Sequence, residues 1–250
     1  RRRGSRWVVS RNDGMQAQSV LYSMPTLDGE PEVLFDPNTL SEDGTRALAG
    51  TSFSRDGRYM AYGIADGGSD WNGWRIRDVE TGEDLPEQLD WIKFSRPAWL
   101  PDGSGFLYSR YEEPTGDALL EVNRAPKLCL HRLGTSQAED EVVYARPDHP
   151  EWSFGARVTE DGAWIVLSIR QGTDPRNRVF LKSVHDAGAP IQELIPELEA
   201  DYTFLHSEGD QFTFLTDRDA PRRRIVRMSR LHPEAEAWTE LVPEGAETLE

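Results

Sequence analysis

A serine that acts as a nucleophile in a hydrolase of the α/β type stands in a sharp strand-to-helix turn with the pattern Gly-x-Ser-x-Gly. No such pentapeptide occurs in the 250 residues of this chain. The nearest approach is Gly67–Trp71, in which Trp71 replaces the second glycine. Ser69 is therefore interpreted as a loop serine, and we predict no catalytic residue in this chain.

Histidine and cysteine could bind a metal, but their spacing gives no ligand pattern. None of the five histidines forms His-Glu-x-x-His, and no two of them have the spacing of one helical turn. Cys129 and His131 would share one face of a strand, because strand side chains alternate. Two ligands are too few for a structural zinc. Neither a metal nor a cofactor is predicted, and no glycine-rich phosphate loop is present.

Composition excludes two classes of partner. The chain has 44 acidic and 28 basic residues, a formal net charge of −16, which repels phosphate backbones and argues against nucleic acid. Apolar runs are far shorter than the roughly 18 residues of a membrane helix, so no membrane partner is expected. A single cysteine and no apolar segment after Arg1–Arg3 predict a cytoplasmic location, with a periplasmic one left open.

The elements that would position any site follow a repeat. An apolar residue, an Asp-Gly turn and an aromatic-rich run occur around Gly57, Gly103 and Gly162, with a weaker copy at Gly209. Asp-Gly between apolar runs predicts a hairpin, because glycine adopts positive φ at low cost. Two further strand-like runs follow each hairpin, at 74–79 and 85–89, 128–133 and 142–145, 179–184 and 191–195, and 225–228 and 238–242.

Four strands in roughly 45–60 residues are typical of a β-propeller blade. We predict an all-β propeller of four-stranded antiparallel blades, with approximate boundaries at 1–48, 49–90, 91–146, 147–197 and 198–250. A β-sandwich with regular strand spacing is the alternative. The first unit offers only second, third and fourth strands, at 7–10, 19–23 and 32–36, so its innermost strand is expected upstream. No closing strand follows the last unit, and the propeller is expected to be incomplete at both ends.

Several segments of the chain resemble one family. Residues 12–22 and the run D-P-N-T-L-S-E-D-G-T-R-A-L at 36–48 are similar to the first part of the prolyl oligopeptidase propeller. The resemblance continues to residue 250 through 53–63, G-S-D-W at 68–71, K-F-S at 93–95 with Ala98-Trp99, and L-S-I-R at 167–170 with Gly172, Asp174-Pro175 and Asn177-Arg178.

This resemblance implies a fold and a function. In that family a seven-bladed propeller caps an α/β-hydrolase domain with a Ser-His-Asp triad, which cuts short peptides after proline. The propeller has no chemistry of its own and excludes folded proteins by size. The chain would supply about five of the seven blades and lack the hydrolase domain, so its partners would be that domain and proline-containing short peptides. The chain alone is predicted to be inactive.

The resemblance also implies site residues. Phe94 matches a phenylalanine that lines the family's peptide pocket, whereas the residues alone favour a core aromatic beside Trp99. Arg170 matches an arginine near the same pocket, with a structural ion pair as the alternative. Ser153 and Thr173 stand where many relatives have methionine and cysteine, which predicts an altered preference upstream of the proline. Asp70 matches an aspartate at the contact with the hydrolase domain.

Other functions remain open. Relatives in the same clan cut after basic residues, although the segment 36–48 favours the proline-specific branch. A stand-alone propeller that binds proteins would need a complete first blade and a closing strand. A five-bladed propeller glycosidase would need carboxylates at regular inward positions, and the repeat offers none.

Overall fold

The computed structural model describes residues 1–67, 69–114 and 124–250. In these residues every regular element is a β-strand or a 3-10 helix of three residues. The twenty strands form five antiparallel sheets, each built from four strands that are consecutive in the chain. The predicted all-β fold of four-stranded propeller blades is confirmed.

The sheets follow one another along the chain. The first contains β1 (Arg2–Arg3), β2 (Arg6–Arg11), β3 (Val20–Met24) and β4 (Glu32–Phe35). The second contains β5 (Arg46–Phe53), β6 (Tyr59–Asp66), β7 (Asn72–Asp78) and β8 (Asp84–Ile92). The third contains β9 (Ala98–Trp99), β10 (Gly105–Arg110), β11 (Lys127–Arg132) and β12 (Glu141–Ala145). The fourth contains β13 (Trp152–Val158), β14 (Trp164–Gln171), β15 (Arg178–Ser183) and β16 (Gln192–Ile195). The fifth contains β17 (Tyr202–Glu208), β18 (Gln211–Thr216), β19 (Arg224–Ser229) and β20 (Thr239–Val242).

The first sheet corrects one expectation. Its innermost strand was expected upstream of the chain, but β1 pairs antiparallel with β2, with Arg2 opposite Trp7 and Arg3 opposite Arg6. Strand β1 consists of two arginines before the Gly4-Ser5 turn, and so it shows no alternation of apolar residues. The alternation that predicted the other strands could therefore not predict this one.

The chain divides into two compact units, Arg1–Ala145 and Arg146–Glu250. In the first unit, one buried cluster joins the first two sheets through Phe35 and Tyr62, and another joins the second and third through Trp74 and Phe106. In the second unit, a cluster that includes Phe214 joins the fourth and fifth sheets. The cores therefore lie between neighbouring blades.

The repeated turns have a common hydrogen-bond pattern. In the turn between β5 and β6, the Ser54 hydroxyl donates to Asp56 Oδ1 at 2.6 Å and accepts the Tyr59 amide at 2.9 Å. The turn between β13 and β14 repeats this arrangement with Thr159, Asp161 and Trp164. These hydroxyl donors hold the pKa of each turn carboxyl below its usual range, because they stabilise the ionised form.

Gly57 also allows two turns to meet. A Cβ at Gly57, where φ is +77°, would lie 2.5 Å from the Arg3 carbonyl oxygen. A Cβ at Gly4 would lie 1.6 Å from the Asp56 carbonyl oxygen. Neither distance is possible for a real side chain, so the backbones of the first and second sheets pack directly on each other here.

A matched pair of substitutions isolates this contact. Gly82, in the turn between β7 and β8, has φ +73° and no atom within 4 Å of a built Cβ. Gly82→Ala should therefore cost only the strain of a left-handed backbone, about 1 kcal/mol. Gly57→Ala should cost about 1–3 kcal/mol more, because overpacking is added to the same strain. Amide hydrogen exchange of residues 1–10 and 52–60 would measure the difference, and equal protection in both variants would contradict the close approach.

Candidate peptide-binding edge

The predicted site residues share one topological position. In every sheet the second and fourth strands end on the same side of the sheet, and the loops that follow them leave there. We call this side, where those strands end, the loop edge. Asp70 lies between β6 and β7, and Phe94 follows β8. Ser153 is the second residue of β13, Arg170 is the next-to-last residue of β14, and Thr173 follows that strand. Each residue thus lies at the loop edge of its own sheet, the first two in the first unit and the other three in the second.

Phe94 is presented to solvent. It is 80% exposed and has φ +52°, in the left-handed region that aromatic residues rarely adopt. The alternative of a core aromatic beside Trp99 is therefore wrong. Strain of this kind persists only where the surroundings impose it. A substrate contact at Phe94 remains a prediction, with an exposed apolar ring available to make it.

The residues around Phe94 fix its loop. Lys93 is buried, with its Nζ 4.1 Å from the centroid of the Trp71 ring. On the other side, the Ser109 amide donates to the Ser95 hydroxyl at 2.8 Å. A buried cation over an indole and a partly buried hydrogen bond thus hold the loop on both sides of the exposed Phe94.

An aromatic cluster supports the same edge, and sequence reasoning missed it. Trp71 makes edge-to-face contacts with Trp91 at 5.6 Å and with Tyr111 at 5.8 Å. The Tyr111 amide donates to the Trp91 carbonyl at 2.9 Å. Two loops and the end of β8 meet here, and no local pattern links them. Asp70 precedes Trp71, is exposed and forms no ion pair among the described residues. Its contact with a hydrolase domain stays a prediction.

In the second unit the other three residues gather at one hairpin. Ser153 stands directly opposite Arg170 in the pairing of β13 with β14, and Thr173 follows two residues after that strand ends. Ser153 is half-buried and Thr173 is exposed. The sequence resemblance grouped them, and the strand register brings them together. A substrate contact at Ser153 and Thr173 stays a prediction.

Trp152 anchors the start of this hairpin. The guanidinium groups of Arg146 and Arg178 each lie 4.7 Å from the centroid of its buried ring. His149 stacks on the same ring at 4.2 Å. These contacts fix the backbone immediately before Ser153 and give that side chain a defined position.

Arg170 forms the structural ion pair that was its alternative reading. Its Nη1 donates to the Pro175 carbonyl at 2.7 Å, and its Nη2 donates to Asp201 Oδ1 at 3.0 Å. Arg223 approaches the other oxygen of Asp201 at 3.5 Å. The Arg170 side chain remains 44% exposed, so it could still contact a ligand. Asp201 was not predicted, because the sequence gives no sign of which carboxylate meets Arg170.

The loop after β14 is held to the fifth sheet. Asn177 is buried, donates to the Ser168 hydroxyl and the Tyr202 carbonyl, and accepts the Tyr202 amide at 2.7 Å. In the same loop the Arg176 side chain, bound to Asp174, lowers the pKa of that carboxyl to about 2. Asp174 is therefore ionised at neutral pH.

A buried His-Asp pair lies elsewhere in the first unit. His131 Nδ1 is 2.8 Å from Asp140 Oδ1, and the Tyr108 hydroxyl donates to the other carboxylate oxygen. The imidazole is fully buried and packs on Phe106 at 5.4 Å. A pair without access to solvent cannot act on a peptide, so we assign it to the packing of the third sheet.

The described part of the chain offers neither a metal-binding cluster nor a membrane-spanning helix. No group of three or more histidine, cysteine, aspartate or glutamate side chains is placed to hold a metal ion. No helix is long and apolar enough to cross a membrane.

The Asp201 carboxylate provides a test of the loop edge. Asp201→Asn leaves two guanidinium groups beside a neutral amide, and should weaken the loop 170–178 by about 1.5–3 kcal/mol, the range for hydrogen bonds to charged groups. Local amide hydrogen exchange would measure the change. Asp219→Asn is the control, because Asp219 is 81% exposed and 3.8 Å from Arg218, and such pairs contribute below about 1 kcal/mol. Equal effects of the two substitutions would refute a special role for Asp201.

Comparison with known proteins identifies the family. The model of the prolyl oligopeptidase N-terminal β-propeller domain matches residues 1–250. A prolyl endopeptidase of Elizabethkingia meningoseptica is 38% identical over 100% of this chain and 35% of its own length. Prolyl oligopeptidase A of Galerina marginata is 33% identical over 94% of this chain and 37% of its own length.

Solved structures agree. A chain from a study of two prolyl endopeptidases superposes with a TM-score of 0.85 and 37% identity, covering 100% of this chain and 35% of that one. Prolyl oligopeptidase B of Galerina marginata, bound to a 35mer hydrolysis and macrocyclization substrate, gives a TM-score of 0.86 and 29% identity, over 96% and 36% respectively. The chain thus spans about a third of the length of these relatives. It belongs to the prolyl oligopeptidase family, as its N-terminal β-propeller domain.

Proposed function

We propose that this chain is the gating propeller of a serine-type endopeptidase that cuts short peptides after proline. The names of the relatives and their coverage support this: they are called prolyl endopeptidases or oligopeptidases, and the chain matches only 35% of the first of them. The remainder of the protein would supply an α/β-hydrolase domain with the Ser-His-Asp triad. The chain alone would be inactive, because it contains no Gly-x-Ser-x-Gly turn.

The observation that carries the proposal is the composition of the loop edge. An exposed aromatic in a strained loop, Phe94, gives an apolar contact for a peptide. Arg170, half exposed beside Ser153 and Thr173, gives guanidinium donors for a peptide carbonyl. Binding residues on loops that a rigid scaffold holds in place are the usual arrangement in enzymes.

The propeller would act on the reaction by restricting access rather than by chemistry. A peptide that reaches the triad leaves bulk water and is held by side chains at the loop edge, which raises the effective concentration of its scissile bond. A folded protein cannot enter. Asp70 would bind a basic residue of the hydrolase domain and so contribute to the closed state. A cytoplasmic location is proposed on the single, buried Cys129, with a periplasmic one as the alternative.

The test uses the native protein that contains this sequence. We expect an intact mass well above 28.3 kDa, labelling by a fluorophosphonate probe, and cleavage after proline in an octapeptide but not in a folded protein that carries the same eight residues. A mass near 28.3 kDa with no labelling would overturn the proposal and favour a protein-binding scaffold. Labelling with cleavage after arginine or lysine would move the protein to the clan relatives that cut at basic residues.

Ser153 and Thr173 yield a prediction on specificity. The double variant Ser153→Met, Thr173→Cys replaces two small polar groups by soft apolar ones. It should raise kcat/KM for peptides with Phe upstream of the proline, relative to the same peptides with Ser, by about three- to tenfold, as one or two buried methylene groups would. Thr239→Val, on the exposed strand β20, is the control and should leave the ratio unchanged. An unchanged ratio in the double variant would show that these positions do not contact the upstream side chain.

A further inference from the structure

A crevice of about 250 Å³ lies between the fourth and fifth sheets, within the second unit. Its two walls are β13 and β17, the first strands of these sheets, and its floor is apolar, with Val166, Leu167 and Phe214. Sites for drug-sized ligands start at about 300 Å³. The crevice therefore has the size for one large side chain rather than for a whole small molecule.

Two features of the backbone keep the crevice open. Gly155 in β13 is exposed, and a Cβ there would meet only Ser168, at 3.8 Å. Any larger residue would therefore extend into the opening without a clash at its Cβ. On the facing strand the pairing with β18 shifts between Phe204 and His206, and the extra residue, Leu205, is 44% exposed. Bulges of this kind are frequent next to binding sites, where they redirect a side chain.

The rim carries a positive charge that has no counter-ion in the described part of the chain. Arg157 and Arg170 both border the crevice and both reach across to the fifth sheet. Arg170 is neutralised by Asp201 at 3.0 Å. Arg157 donates to the Phe204 carbonyl at 3.3 Å, and among the described residues it joins no ion pair. In a chain with a net charge of −16, an uncompensated guanidinium beside an apolar floor favours an anionic ligand at this point.

We propose that the crevice is a peptide subsite that takes an aromatic side chain followed by a carboxylate residue. The aromatic ring would lie on the apolar floor, and the carboxylate would pair with Arg157. The first strand of each blade borders the central channel of a propeller, which is where a peptide substrate would pass. The proposal rests on the function proposed above, and it adds a preference at a crevice that adjoins the Ser153–Arg170 pair.

The test measures binding without cleavage. Isothermal titration of the full-length protein would use three capped tetrapeptides that contain no proline: Ala-Phe-Glu-Ala, Ala-Phe-Gln-Ala and Ala-Ala-Glu-Ala. We expect the first peptide to bind about tenfold more tightly than the third, because the third lacks the aromatic ring that would be buried. The first should bind about three- to fivefold more tightly than the second, because the second cannot form the ion pair. Equal affinities for the three peptides would overturn the subsite.

Variants locate the binding. Gly155→Leu fills the crevice and should weaken the binding of the Phe-Glu peptide at least tenfold. Gly188→Leu, at an exposed turn of the same unit, is the control and should leave it unchanged. Arg157→Gln should lower the affinity for the Phe-Glu peptide to that for the Phe-Gln peptide. The affinity for the Phe-Gln peptide should not change. An equal loss for both peptides would assign Arg157 a structural role only, and full binding by Gly155→Leu would place the peptide elsewhere.

The two proposals fail separately. Cleavage after proline by the wild-type protein, without binding of the tetrapeptides, would refute the crevice and leave the peptidase function in place. Binding that depends on Gly155 and Arg157, without cleavage of any proline peptide, would refute the peptidase function and leave the subsite.

Discussion

A four-stranded sheet has two faces, and in this protein it can bury them only against the sheets beside it. Three apolar clusters of the described residues accordingly join two sheets each, rather than filling one. Met60 and Phe106, both fully buried, lie in such clusters. Because apolar burial is the main stabilising contribution to folding, the packing between blades is the constraint on which the other features depend. It occupies the faces of the sheets and leaves only their edges and the seams between them for function.

The two edges of the sheets carry different features. At the edge opposite the loop edge, the second and fourth sheets have tight Ser/Thr-x-Asp-Gly turns, in which the hydroxyl and carboxylate stabilise the turn itself. At the loop edge, Phe94 has a left-handed backbone and Arg170 a partly exposed charge. Regular turns give the scaffold its rigidity, and irregular loops place side chains where a ligand could reach them.

Arginine makes many of the connections across the seams. Only Lys93, Lys127 and Lys182 are lysines among the 28 basic residues. A guanidinium can bind a carbonyl or a carboxylate on the next sheet while its stem packs on apolar groups. Arg77 does so from the second sheet to the Leu34 carbonyl at 2.8 Å, and Arg157 does so from the fourth to the fifth. At Arg157 the same bond leaves a charge at the rim of a crevice, so a structural device also creates a candidate binding feature.

The sequence by itself determined the local features of this protein. Strand periodicity predicted runs such as 225–228, which falls within the observed strand Arg224–Ser229. The Asp-Gly turns predicted the positive φ of Gly57 and Gly162. The sequence also shows that the chain contains no Gly-x-Ser-x-Gly pattern. Only the tertiary structure decided that Phe94 is exposed, that Asp201 binds Arg170, that Arg2–Arg3 forms a strand and that Gly155 opens a crevice. These depend on contacts between segments tens of residues apart, or on pairing without apolar alternation. A local pattern fixes the conformation of each strand, but it carries no information on which side chain of the next sheet will lie opposite.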